Sequence, residues 1–161
     1  MLLHGVGVDL AHVPRFARIL SRFGDRFAKR VLHGEELSQL ALTKSGLERA
    51  RFIASRWAAK EALHKAVGSQ RLEFTQISVQ KRDQKPTIVA QDVAADELRR
   101  LGVGTIHLSI SHDADFATAF VVLERTSSQS SAPSRMNPLV APSYIHARST
   151  SMHSCHGCEL L

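Results

Sequence analysis

The spacing of apolar positions changes several times along the chain, and each change marks an element. Leu2 to Leu10 is apolar but interrupted by Gly5 and Gly7, which predicts a first strand ending near Asp9. Pro14 suits the first turn of a helix. From Val13 to about Phe23, the residues Phe16, Ile19, Leu20 and Phe23 recur at helical spacing. Two shorter helices follow, over Phe27 to Leu32 and Gly34 to Leu42, with a break at His33-Gly34. Leu47 to Val67 has no Pro and no internal Gly, and is rich in Ala, Leu, Arg, Lys and Glu. With Phe52, Ile53, Trp57, Ala58 and Leu63 near helical spacing, it predicts a long central helix stopped by Gly68.

From Thr75 the period becomes two. Ile77 and Val79 alternate with Gln76, Ser78 and Gln80, Asp83-Gln84-Lys85-Pro86 is turn chemistry, and Thr87 to Val89 is the returning strand. Asp92 to Leu101 reads as a helix with Ala94, Ala95 and Leu98 on its apolar side. Ile106, Leu108 and Ile110 then alternate with His107, Ser109 and Ser111. Phe116 to Leu123 is almost wholly apolar and predicts a central strand, with His112 and Asp113 in the tight connection before it. The order is strand, helices, two strands, helix, two strands. That predicts an α+β fold, a largely antiparallel sheet packed against a long central helix and shorter helices.

The pattern ends near Arg125. Residues 1–125 are expected to form one domain and residues 126–161 a polar, disordered tail that catalysis does not need. Both cysteines, Cys155 and Cys158, fall in that tail, so no disulfide is expected to hold the fold, which fits a reducing compartment. Cys155-His156-Gly157-Cys158 has the spacing of half a zinc site but lacks a second ligand pair, and chance explains it better. Of the 161 residues, 43% are hydrophobic and 22% charged, ordinary for a globular protein, and no run is long and apolar enough to span a bilayer. The N-terminus shows neither signal peptide nor presequence, so a cytoplasmic site of action is expected, with a mitochondrial one the alternative for a eukaryotic source.

The net charge of +6 points to an acidic partner. On the helix after Pro14, Arg15, Arg18 and Arg22 recur at spacings of three and four and form a stripe. It is either a solvated basic face or a docking surface for carboxylates, which suit arginine geometry. A basic nucleic-acid-binding domain is a rival reading. One Trp, one Tyr and no dense Lys/Arg run speak against it, and no nucleic-acid partner is expected.

On the central helix Glu61 and Lys65 are four residues apart and share a face. Alone they read as a surface ion pair. Joined by Asp9 they also read as a carboxylate pair for a hard metal ion beside a phosphate-binding cation. The strand's apolar residues are expected to point at the central helix and bring Asp9 to it.

Gly5-Val6-Gly7-Val8-Asp9, followed by Trp57-Ala58-Ala59-Lys60-Glu61-Ala62-Leu63-His64-Lys65, resembles the 4′-phosphopantetheinyl transferases, in particular the small holo-acyl-carrier-protein synthase branch. The resemblance runs from about Leu3 to Arg125. It implies transfer of 4′-phosphopantetheine from CoA to a serine of an apo acyl carrier protein, with release of adenosine 3′,5′-bisphosphate, a step in fatty acid biosynthesis. It implies Mg²⁺ on Asp9 and Glu61, catalytic roles for Glu61 and Lys65, and CoA phosphate contacts from Arg56, Lys65 and His112. His112 follows Ser109-Ile110-Ser111, which resembles the family's third motif, and Asp113 beside it is a candidate to orient the imidazole. Glu61, directly or through a water that it orients, takes the serine proton. The stripe Arg15, Arg18 and Arg22 becomes the docking face for the acidic carrier protein. A homotrimer with sites between subunits is implied as well. One departure stands out: Gln84 replaces the glycine that the family places before the Lys-Pro of this turn. A non-catalytic relative that binds only through the stripe is the remaining rival, and the intact Asp9, Glu61 and Lys65 argue against it.

Overall fold

The computed structural model describes residues 2–69 and 71–126. The expected tail, with Cys155 and Cys158, lies outside them apart from Thr126. The chain runs β1 (Leu3–His12), α1 (Val13–Phe23), α2 (Asp25–Val31), α3 (Gly34–Ala41) and α4 (Gly46–Val67). After a 3₁₀ turn at Phe74–Gln76 come β2 (Ile77–Arg82), β3 (Lys85–Ala90), α5 (Asp92–Arg100), β4 (Val103–Asp113) and β5 (Phe116–Arg125). The α+β plan holds, with all pairing antiparallel but divided between two sheets: β1-β5-β4, with the apolar β5 in the middle as expected, and the hairpin β2-β3.

Helix α4 is the axis of the fold. Ser45 and Glu48 close a reciprocal capping box at its start, and Gly68 ends it in the left-handed region at φ 69°. Five of its six buried alanines, Ala50, Ala54, Ala58, Ala62 and Ala66, fall every fourth residue, so they line up as one low ridge. Strand β1 lies on that ridge through its glycines. A Cβ on Gly7 would stand 1.9 Å from the Ala62 carbonyl oxygen, and one on Gly5 would stand 2.0 Å from that of Ala66. No side chain fits at either position, so strand and helix backbones touch directly.

This contact reverses one expectation. The residues of β1 that face α4 are Gly5, Gly7, Asp9 and Ala11, not its valines. Val6, Val8 and Leu10 point to the other side of the sheet, where they are 47%, 54% and 63% exposed. Phe116 and Phe120 of β5 lie on that same open side, since Phe120 is the register partner of Val8 and Phe116 that of His12.

A buried ion pair ties the helical layer together. Lys60 and Glu36 are both fully buried, with Lys60 Nζ 2.6 Å from Glu36 Oε2. Lys60 Nζ also donates to the carbonyls of Val31 at 2.7 Å and Phe74 at 2.9 Å. Glu36 accepts from the backbone N–H of Val79 at 2.8 Å and of His33 at 3.0 Å. Five segments thus meet at two charges whose hydrogen bonds are met, the condition under which a buried pair is tolerated.

The Asp83-Gln84 turn closes β2 and β3 with both central residues at positive φ, 48° and 65°. Gln84 adopts the backbone that glycine favours, so the departure from the family pattern leaves strain rather than a differently paired hairpin. Gln84→Gly is expected to raise stability by about 0.5–1 kcal/mol; a thermal melt that is unchanged or lower would overturn this.

At the C-terminus, Arg125 N–H donates to Leu2 O at 2.9 Å and Thr126 N–H to Gly102 O at 3.0 Å. Hydrogen bonding therefore continues one residue past the expected boundary at 125.

Candidate active site

The direct contact of β1 with α4 puts the end of the strand beside the middle of the helix. Lys65 Nζ lies 2.7 Å from Asp9 Oδ1 and 3.0 Å from Val8 O. The Asp9 side chain is only 15% exposed and that of Lys65 is 53% exposed, so the carboxylate forms the floor and the ammonium reaches it from solvent. Glu61, one turn before Lys65, is half-buried. Burial first, and then the nearby Asp9 charge, push its carboxyl above the usual range, while Lys65 and Arg15 pull it back. Asp9, Glu61 and Lys65 therefore come together within one chain.

The donor set suits a hard cation. Two carboxylates with no soft ligand match Mg²⁺, which keeps most of its waters and takes one or two protein carboxylates. Among the described residues no cluster of three or more metal-ligating side chains exists. Asp9 already holds a positive charge, the Lys65 ammonium, so its carboxylate is placed to bind a cation. The residues fit the ion.

Arg56 lies five residues before Glu61, about 7.5 Å along the helix. Its guanidinium carbon is 3.9 Å from the centre of the Phe52 ring and its Nη1 donates to Ser55 Oγ at 3.1 Å. Its Nε is buried and has no hydrogen-bond partner among the described residues. Burial lowers its pKa and Glu36 opposes that shift. Arg56 lines a cavity of about 680 Å³ with Arg51, Phe52, Ser55, His112 and Ala114. A half-buried guanidinium that lines a cavity with Arg51 and His112 is suited to an anion, with Glu48 opposing them on the same lining.

His112 differs from expectation in one respect. It is not in a connection but inside β4, paired with Ala117, and Asp113 pairs with Phe116. The loop is only Ala114-Asp115, because a two-residue turn suffices and the edge strand tolerates polar side chains. Neighbours along a strand point to opposite faces, so Asp113 is on the far side from His112 and does not orient it. His112 shares the α4-facing side with Asp9, one strand beyond β5: Ala117 pairs with both His112 and Ala11, and Ala119 with both Ile110 and Asp9. Arg15, Arg18 and Arg22 are all exposed on α1, with Phe16 buried on the opposite side. Arg15 stands over the Trp57 ring, its guanidinium carbon 5.8 Å from the ring centre.

The sequence reading missed Glu36, Ser55 and Phe52 as supports of the site. A lysine amid the alanines of α4 was the one available hint of a buried partner for Lys60.

The model of the 4′-phosphopantetheinyl transferase superfamily matches residues 5–121. The chain belongs to the 4′-phosphopantetheinyl transferase superfamily. Within this superfamily the chain is 38% identical over 129 residues to a holo-[acyl-carrier-protein] synthase of Vibrio cholerae, covering 77% of the chain and 99% of the relative. The crystal structure of holo-[acyl-carrier-protein] synthase from Neisseria meningitidis superposes with a TM-score of 0.71 at 31% identity, covering 77% of this chain and 100% of that one. A Bacillus anthracis holo-(acyl-carrier-protein) synthase, solved in complex with CoA (3′,5′-ADP), gives a TM-score of 0.64 at 32% identity, with 78% and 100% coverage. The transferase motifs quoted from the sequence are thus the two segments that meet where β1 crosses α4. No helix among the described residues is long and apolar enough to cross a membrane.

Proposed function

We propose that this enzyme transfers 4′-phosphopantetheine from CoA to a serine hydroxyl of an apo acyl carrier protein, with Mg²⁺ held by Asp9 and Glu61. The observation that carries the site assignment is the contact of Lys65 with Asp9 one turn from Glu61, in a chain of this family. Serine Oγ attacks the phosphorus nearest the pantetheine, the phosphoanhydride P–O bond breaks, and adenosine 3′,5′-bisphosphate leaves with the electron pair. Mg²⁺ would supply charge neutralisation on the pyrophosphate. Glu61, made more basic by its burial, accepts the serine proton, directly or through a water it orients. Lys65, Arg56 and His112 bind and steady the phosphates, with Arg56 and His112 on one cavity lining.

Mass spectrometry of an apo carrier protein incubated with the protein, CoA and Mg²⁺ tests the reading. One added phosphopantetheine, absent with EDTA, is expected; no addition while CoA still binds would overturn transfer.

The exposed stripe Arg15, Arg18 and Arg22 is the docking face for the acidic carrier. Arg18→Glu is expected to weaken carrier binding roughly tenfold or more through charge reversal, with CoA binding nearly unchanged. Equal loss of both would remove the docking role.

The open side of the β1-β5-β4 sheet is a subunit interface. Val6, Val8, Leu10, Phe116 and Phe120 are 43–63% exposed there, a patch that a monomer seldom leaves to water. A homotrimer buries it, and sedimentation is expected to give three chains; a monomer at micromolar concentration would overturn this.

A further inference from the structure

Lys65 has two assignments that compete for its ammonium. Its ammonium lies 2.7 Å from Asp9 Oδ1, on the carboxylate proposed to bind the metal. It is also proposed to contact the CoA phosphates. A divalent cation and an ammonium on one carboxylate repel each other, so the ion weakens the hold of Asp9 on Lys65.

We propose that Lys65 is a displaceable counter-ion, which neutralises Asp9 in the empty site, is expelled from it by the divalent ion, and is thereby delivered to the CoA phosphate. The inference rests on the reading of Asp9 and Glu61 as metal ligands. Three observations carry it. The Lys65 side chain is 53% exposed, so its flexible stem is free to swing, while the Asp9 side chain is 15% exposed and fixed on the strand. Glu61 has no side-chain hydrogen-bond partner among the described residues, so Lys65, one turn away and already on Asp9, is the cation that faces both carboxylates. The ion pair is not needed to hold β1 on α4, because the glycine–alanine contact already does so, and an exposed pair adds little to it.

Metal and CoA are then linked. The metal binds weakly alone, since it must displace Lys65. It binds better with CoA, whose phosphates give the displaced ammonium a new partner, and by reciprocity the metal strengthens CoA binding.

Calorimetric titration of the CoA-free full chain with Mg²⁺ tests this, using wild type, Lys65→Met and Arg15→Met. Arg15 acts on Glu61 through space but makes no hydrogen bond to Asp9, and so controls for charge alone. Lys65→Met is expected to tighten CoA-free Mg²⁺ binding roughly tenfold, and Arg15→Met by less than about threefold. Unchanged or weaker binding by Lys65→Met, or equal tightening by both variants, would overturn the displacement. A second readout needs no variant: the NMR signal of the Lys65 ammonium in wild type is expected to shift on adding Mg²⁺ without CoA, and a signal that stays put while Mg²⁺ binds would also overturn it. Should wild type bind no Mg²⁺ even with CoA present, the metal reading itself falls and takes this inference with it. Mg²⁺ binding with CoA, combined with a Lys65→Met variant of unaltered CoA-free affinity, removes the inference alone.

Discussion

Glu61→Gln is expected to cut phosphopantetheine transfer by roughly 10²–10⁴-fold while leaving the fold intact. The substitution keeps the side chain's size but removes a charge proposed to serve twice, as half of the carboxylate pair for the metal and as acceptor of the serine proton. Nothing in the structure depends on that charge for stability. Burial and the neighbouring Asp9 both hold the Glu61 carboxyl above its usual pKa range. An acid whose folded pKa is raised costs stability when ionised, so the cost is present above the folded pKa and disappears as pH falls through it. Removing the charge should therefore leave the metal-free melting temperature unchanged or slightly higher, the reverse of what a structural glutamate would give. Wild-type turnover in this variant would exclude Glu61 from the mechanism. A lowered melting temperature would show that its charge supports the fold.

That combination of high activity cost and no stability cost was partly legible in the sequence. Glu61 and Lys65 share a helix face by spacing alone, and Gly68 and Pro14 mark helix ends by backbone chemistry alone. The place of Asp9 beside them was expected for the wrong reason. Val6 and Val8 looked like the residues that would pack on α4, whereas Gly7 and Gly5 lie against Ala62 and Ala66 because only a bare backbone fits there. Period two fixes which residues share a face but not which face meets the helix, and here the apolar face of β1 is the exposed one. The sequence puts His112 and Asp113 in the connection before β5, and the stretch His-Asp-Ala-Asp is polar. Polarity does not distinguish a turn from an edge strand, and the register shows β4 continuing to Asp113. Arg56 carries no local sign that its Nε is left without a partner, since that depends on Phe52, Ser55 and the cavity beyond them.

Lys60, next to Glu61, was the residue whose role spacing could least reveal, and it carries the largest expected effect on stability. Lys60→Met is expected to destabilise the fold by about 3–5 kcal/mol, because it leaves the Glu36 carboxylate buried without its counter-charge. The carbonyls of Val31 and Phe74 lose their shared donor in the same step. A domain of this size has a total of about 5–15 kcal/mol, so the variant should unfold in little urea. Breaking only half of the pair is what costs most. Adding Glu36→Gln removes the stranded charge while its amide oxygen remains able to accept from Val79 N–H, the bond that the carboxylate makes at 2.8 Å. The double variant is therefore expected to recover a large part of the loss, with a coupling energy of about 1–3 kcal/mol in a double-mutant cycle. Urea unfolding of the four proteins measures it. Additive losses, or a Lys60→Met variant within about 1 kcal/mol of wild type, would show that the network does not hold the helical layer as its geometry implies.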